Sequence, residues 1–238
     1  MPGEQLDEKQ LADYLNMDLR DVRKLASRGK IPCRKTRSGY VFRRGEVDHW
    51  VEQRMHELGP DRLGDIEKGV TAHHGIEPES LRICDMIPDG GIEVPLAART
   101  RNSTMRRLVE LADKAGLVFD PKKLVAEIEH REEMCSTAIF PHVALPHPRR
   151  PMPYDIARSF VIIGSSPGGI PFGSEDGSLT RLFFFTCCKD DPTHLHVLAR
   201  IASVLHLQGA SEELLTAENP DDLLAALRRR EEELTGED

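Results

Sequence analysis

Between Arg20 and Arg44 ten basic residues accompany a single acid, Asp21, which gives a net charge of +9 over 25 positions. Charge that dense stays in water, so the apolar residues among it must share one face of a small, locally closed unit. The rest of the chain has the opposite balance. Residues 1–57 carry +2 and residues 58–238 carry −10 of the overall −8, so the basic stretch is a local device suited to an anionic partner. At 238 residues the chain has room for two small domains, and 39% hydrophobic with 30% charged residues is ordinary globular composition.

The apolar positions inside the basic stretch support this. Leu6, Leu11, Ala12 and Leu15 mark one short helix, and a second begins at Asp18 with Asp21 at its third position, an N-cap pattern. Val22 and Leu25 turn inward, Arg20, Arg23 and Lys24 turn outward, and Gly29 supplies the C-terminal stop. Two strand-like stretches, Ile31 to Lys35 and Tyr40 to Arg43, are joined by Thr36-Arg37-Ser38-Gly39 as a hairpin with a basic tip. Val47, Trp50 and Val51 close the unit at helical spacing. This is helix-turn-helix logic with a wing.

The succession Gln10-Leu11-Ala12-Asp13-Tyr14-Leu15-Asn16, Val22-Arg23-Lys24-Leu25, Gly29-Lys30-Ile31-Pro32 and Phe42-Arg43-Arg44-Gly45-Glu46-Val47-Asp48-His49-Trp50 resembles an excisionase-type, MerR-like winged helix over residues 5–55. The resemblance implies binding to double-stranded DNA. Arg20, Arg23 and Lys24 would then read the major groove, and Arg34, Lys35 and Arg37 on the wing would contact phosphates.

From 58 to 80 the chain carries Gly59-Pro60, Gly64, Gly69, Gly75 and Pro78 with few apolar residues, which reads as a linker. The expected division is therefore 1–57, a linker at 58–80, and a second domain at 81–238. In that domain Met105, Leu108, Leu111, Ala112 and Ala115, then Leu124, Val125 and Ile128 after Pro121, recur at helical spacing. Val143-Ala144-Leu145, Ser159 to Ile163 and Leu179 to Thr186 read as buried strands, and helical spacing returns from Leu195 to Leu205 and from Leu223 to Leu234. The class is α/β, with helices on a mixed sheet.

Five cysteines (Cys33, Cys84, Cys135, Cys187, Cys188) with no CxxC pair suit reduced thiols, and no apolar run approaches bilayer length. The expected location is cytoplasmic. Neither GxxxxGK[ST] nor GxGxxG is present, and Ser165-Ser166 lacks a GxSxG setting, so nucleotide cradles and serine hydrolases have no support. Pro141-His142-Val143-Ala144-Leu145-Pro146-His147-Pro148 instead presents one imidazole between two prolines as a strand ends. Near neutrality much of an imidazole is unprotonated, so its lone pair can attack phosphorus; a structural histidine is the alternative.

Arg131-Glu132-Glu133, Ser136-Thr137, Ala144-Leu145-Pro146-His147, Pro171-Phe172-Gly173, Asp176-Gly177 and His194-Leu195 with Leu198-Ala199 occur in the order seen in type-2 IIA proteins of the bacterial phosphotransferase system. The resemblance spans residues 81–234 and includes the fructose, mannitol and nitrogen-regulatory classes. It implies that His147 accepts a phosphoryl group from the carrier HPr and passes it to a IIB domain. By the same resemblance His194 is the second active-site histidine, with His196 an alternative, and Arg131 and Thr137 line the site. A phosphohistidine adds nearly two negative charges, which a guanidinium, a hydroxyl and a second imidazole can meet without cofactor or metal. Phe140, Pro141 and His142 stand where that family is usually glycine-rich, which puts the docking rim in question.

The combined expectation is a phosphohistidine-carrying regulator that couples phosphorylation of His147 to DNA binding. Two alternatives stay open: a IIA carrier feeding a separate IIB sugar permease, and a ligand-sensing DNA-binding protein that has lost phosphotransfer. HPr, a IIB domain, duplex DNA and a second copy of the chain are the partners these readings involve.

Overall fold

The computed structural model describes residues 5–74 and 81–236. The N-terminal unit runs β1 (Gln5–Asp7), α1 (Glu8–Tyr14), α2 (Leu19–Ser27), β2 (Arg34–Thr36), β3 (Gly39–Arg43) and α3 (Arg44–Arg54). Asp7 caps α1, accepting from the Lys9 and Gln10 amides while the Gln10 side chain takes its own N–H, and Asp18 caps α2 through the Arg20 amide. Gly29 at φ +64° follows α2 in the left-handed conformation expected of it. Strands β2 and β3 form the wing. Leu6 differs from the expectation of a helical residue: residues 5–7 pair antiparallel with β3, giving the order β1-β3-β2. The exposed-buried-exposed pattern of that short segment is the strand period, and it places Leu6 beside Leu11, Tyr14, Val22, Phe42, Val47 and Val51 in the core.

The stretch from 58 contains a packed helix instead of the expected linker. After a turn of 3-10 helix at Met55–Glu57, α4 runs Pro60–His74, and Leu63, Ile66 and Val70 are buried in the core. Its glycine content reads as flexibility in one dimension and is close approach in three. A Cβ on Gly69 would stand 2.5 Å from the Tyr14 carbonyl oxygen, so glycine is what lets α4 touch the end of α1. Arg62 adds hydrogen bonds to the carbonyls of Leu15 and Asn16, both 2.9 Å. Residues 75–80 of the expected linker lie outside the described residues.

The second unit comprises α5 (Ile83–Met86), β4 (Ile92–Glu93), α6 (Arg101–Lys114), α7 (Pro121–Met134), β5 (Val143–Ala144), β6 (Phe160–Ile170), β7 (Thr180–Cys187), α8 (Asp191–His206), α9 (Ala210–Thr216) and α10 (Pro220–Thr235). The sheet order is β4-β6-β7-β5, mixed as expected: β6 and β7 are antiparallel, and both edges are parallel. The two faces divide by the strand period. Val161, Ile163, Leu182 and Phe184 face the core that holds α8 and the N-terminal unit, while Phe160, Ile162, Phe183 and Phe185 face the core under α6 and α7.

Helix α8 fixes the relation of the two units. Every residue from Pro192 to Leu205 is buried, because β7, α3, α4, α9 and α10 surround it. Its one guanidinium, Arg200, is matched by Glu67 of α4, which accepts from Arg200 Nε at 3.0 Å. A buried charge so paired holds α4 in register, and removing one partner of such a pair typically costs about 3–5 kcal/mol.

Gly69→Ala should lower the thermal midpoint, as forced overpacking costs about 1–3 kcal/mol. Gly64→Ala, whose new methyl meets nothing within 4 Å, should leave the midpoint unchanged or raised. Equal behaviour of the two in thermal melts would contradict the packing of α1 on α4.

Candidate functional site

His147 leaves the sheet two residues beyond the Leu145 carbonyl, held by the Thr186 amide donating to Pro146 O at 3.0 Å. Its Nδ1 lies 2.7 Å from Leu145 O. A carbonyl only accepts, so the proton of the neutral ring is on Nδ1 and the lone pair is on Nε2. Arg131, in the last turn of α7, donates from Nε to that nitrogen at 3.2 Å and from Nη1 to Cys135 O at 2.8 Å. The first turn of α8 brings His194 alongside, ring centroids 4.9 Å apart. Three of the four expected site residues therefore meet at one point.

Thr137 is adjacent but committed. Its hydroxyl donates to Glu132 Oε2 at 2.7 Å and its amide to Oε1 at 2.9 Å, while Arg101 pairs with the same carboxylate at 3.5 Å. The hydroxyl hydrogen is thus not free for an anion on His147, and Thr137 fixes the loop that follows α7. His196, the alternative to His194, faces the other way: Nε2 is 3.2 Å from Leu81 O and Nδ1 is 3.4 Å from Glu67.

The residue that sequence reading missed is Glu52. It comes from α3 of the N-terminal unit, and its carboxylate reaches both histidines, with Oε2 3.6 Å from His147 Nε2 and Oε1 3.2 Å from His194 Nε2. His49, one turn earlier, contacts the same carboxylate at 3.2 Å. Nothing in the spacing of an acid in the N-terminal unit links it to a histidine 95 positions later. His147 is consequently only 3% exposed. The lid over it is the N-terminal unit, and beside it a cleft of about 940 Å³ is lined by both units, among them Trp50, Gln53, His56, Ser136, Gly173 and Asp176.

Burial pushes the His147 pKa down to about 4, with the Arg131 and His194 charges adding to the effect and Glu52 opposing it. Burial alone would raise the Glu52 carboxyl, but the His194 and His49 imidazoles beside it hold it well below the usual carboxylate range. At neutral pH the site thus holds a neutral His147 whose Nε2 lone pair accepts from a cationic Arg131, and an anionic Glu52. Glu52, His147 and His194 offer ligand atoms within 4.8 Å of one another, close enough for a metal. The guanidinium against His147 Nε2 makes the position one for an anion instead.

The expected DNA-binding residues are all exposed, on α2 and the wing. They are not equally free. Arg20 forms a two-point pair with Asp18, both contacts 3.1 Å, and Arg23 Nε donates to Glu8 at 2.6 Å, a carboxylate that also accepts from the Tyr40 amide. Arg23 therefore ties α2 to α1 and β3, whereas Arg34, Lys35 and Arg37 project from the hairpin. The five cysteines are free, with Cys187 and Cys188 buried.

Comparison with known proteins gives two family matches: "Phosphoenolpyruvate-dependent sugar phosphotransferase system, EIIA 2" at residues 86–230 and "Helix-turn-helix domain" at residues 6–55. A fructose-specific EIIABC component of Bacillus subtilis is 25% identical over 153 residues, 63% of this chain and 24% of the relative. A mannitol-specific enzyme IIA component of the same organism is 27% identical over 101 residues, 42% of this chain and 68% of the relative. The chain thus spans about a quarter of the length of the first of these. Among solved structures, IIA mannitol from Escherichia coli superposes with a TM-score of 0.52 at 23% identity, covering 58% of this chain and 96% of that one. The nitrogen regulatory protein IIA-Ntr from Neisseria meningitidis gives 0.55 at 18% identity, covering 61% and 98%. At those identities the likeness is one of fold. No helix among the described residues is long and apolar enough to cross a membrane.

The pH behaviour follows from the sign of the His147 shift. Between an unfolded value near 6.5 and the folded value of about 4, the unfolded chain binds more protons, so this residue's contribution to stability falls as pH drops through that window. An NMR titration should find the His147 ring neutral from pH 8 down to about 5. A midpoint at or above 6.5 would contradict the buried, lidded site.

Proposed function

Since this chain belongs to the phosphoenolpyruvate-dependent sugar phosphotransferase system EIIA 2 family, we propose that it is a phosphohistidine-carrying regulator. His147 accepts a phosphoryl group from an HPr-like carrier, and the helix-turn-helix unit binds duplex DNA. In this reading residues 1–57 are the DNA-binding module, 81–238 the phosphoryl-accepting module, and the segment between carries α4.

The observation that carries the reading is a Nδ1-protonated His147 whose unprotonated Nε2 faces the Arg131 guanidinium. Arg131 Nε shifts its hydrogen bond from Nε2 to the phosphoryl oxygens as the Nε2 lone pair attacks phosphorus, the donor's N–P bond breaks, and the electron pair of that bond returns to the donor imidazole. No proton has to move in the step. The product ring carries the phosphoryl group on Nε2 and keeps Nδ1–H bonded to Leu145 O, which stabilises the cationic ring. Arg131 meets the developing negative charge, and His194 supplies a second N–H. Thr137 acts by holding Glu132 and the loop in place. In-line positioning and charge stabilisation suffice for such an exchange between two docked proteins.

One similar solved structure is a complex of enzyme IIA mannitol with phosphorylated enzyme IIB mannitol from Escherichia coli, 22% identical with a TM-score of 0.52, covering 59% of this chain and 95% of that one. A IIB domain is by analogy the receiver in the second reading, a sugar-transport carrier. The helix-turn-helix unit favours the regulatory one.

Incubation with phosphoenolpyruvate, the first enzyme of the system and HPr should place an acid-labile phosphate on the wild type and none on His147→Ala. Arg131→Ala should slow labelling about 10²–10³-fold, the scale of one lost charge-stabilising donor. Retention of the label in His147→Ala would refute the assignment. For DNA, Lys35→Ala or Arg37→Ala should each lower the slope of log affinity against log salt by about 1, and an unchanged slope would remove the wing from the interface.

A further inference from the structure

Helix α3 belongs to the core of the DNA-binding module through Val47 and Val51, yet it delivers a charged side chain into the site of the other module. Glu52 brings a planar anion with two oxygens to His147 Nε2 and His194 Nε2, the two atoms that would hold a phosphoryl group. We propose that Glu52 is an internal ligand of the phosphoryl site: its carboxylate occupies the position of the phosphoryl group, so that seating of α3 and phosphorylation of His147 exclude each other. The exclusion rests on the reading of His147 as phosphoryl acceptor, whereas the seating itself does not.

Three features carry this. The first is volume: a phosphorus bonded to His147 Nε2 would extend its oxygens into the space held by Glu52 Oε2, 3.6 Å away. Charge is the second, because a dianion and a carboxylate cannot share one nearly water-free site with Arg131 as its main guanidinium. Third, polar contacts at both ends of α3 help seat it on the other module, beside the buried Val51 and Met55. Arg44 Nη2 donates to Asp191 Oδ2 at 3.0 Å, and His206 Nε2 lies 3.3 Å from Met55 O. Phe140 packs edge-on against both His56 and His206, centroids 6.5 and 5.5 Å apart. Helix α4 is held to α8 through buried apolar residues and the Glu67–Arg200 pair, so it keeps its place when the last turn of α3 and the following 3-10 turn, with the buried Met55, are displaced. Linkage makes the effect reciprocal: whatever factor the seated carboxylate takes from phosphorylation, phosphorylation takes from seating.

The test uses the full chain with two measurements on the wild type, Glu52→Gln and Asp191→Asn. Diethyl pyrocarbonate modifies exposed neutral imidazoles, and its rate at His147, followed by mass spectrometry, reports the lid without any phosphotransfer. The rate of HPr-dependent labelling reports the acceptor. Glu52→Gln should accelerate both by at least about fivefold, the lower end of typical coupling between sites, and Asp191→Asn should do so in the same direction. Equal rates across all three proteins in both measurements would overturn the proposal and leave His147 as acceptor intact. Faster modification with unchanged labelling would also overturn it. Absence of label in every protein, with modification still accelerated, would overturn the acceptor reading and the exclusion with it.

Discussion

A carboxylate that is nearly out of water has to be matched, and Glu52 is matched entirely by side chains it does not share a helix turn with, save His49. The anion is tolerated because the site beneath it is built for one: Arg131 against His147, the second imidazole at 4.9 Å, and the amino end of α8. The N-terminal module that carries Glu52 also covers His147, and that burial keeps the ring neutral against the pull of the carboxylate. The Glu52 contact also sets the N-terminal module at a fixed place on the α/β module, where Arg44 and Asp191 can meet.

The rest of the interface is of a different kind. Helix α8 is buried on every side, which demands cover from several elements. Helix α4 supplies it with Leu63, Ile66 and Val70, so a single apolar core runs from Leu6 through to Leu227. Two contacts therefore join the modules: a largely apolar seam along α4 that encloses the Glu67–Arg200 pair, and a mixed one along α3, where Val51 and Met55 are buried beside the charged Arg44 and Glu52. In the proposed coupling the added phosphoryl charge acts on the second through Glu52.

Much of the fold was legible because local rules and burial agree. The alternation in Phe160 to Ile163 and in Leu182 to Phe185 assigns each residue to one face of the sheet, and Asp18, Gly29 and Pro121 mark the helix ends where the chain uses them. Arg131, His147 and His194 were legible through their ordered motifs, and geometry then separated His194 from His196. What failed to show was relational. Gly69 carries the same letter whether it loosens a chain or admits a neighbouring carbonyl, so α4 read as a linker. No local pattern announces that Arg23 pairs with Glu8 or that the Thr137 hydroxyl is given to Glu132. Glu52 is the extreme case, because its meaning depends on a fold-level juxtaposition that no local pattern encodes.

Backbone amide hydrogen exchange over residues 49–57, compared between unphosphorylated and phosphorylated protein, tests the coupling of the two modules most directly. The account predicts that phosphorylation speeds exchange in the last turn of α3 and the following 3-10 turn while the amides of α4 keep their protection. Identical protection in both forms, with the label verified on His147, would contradict it.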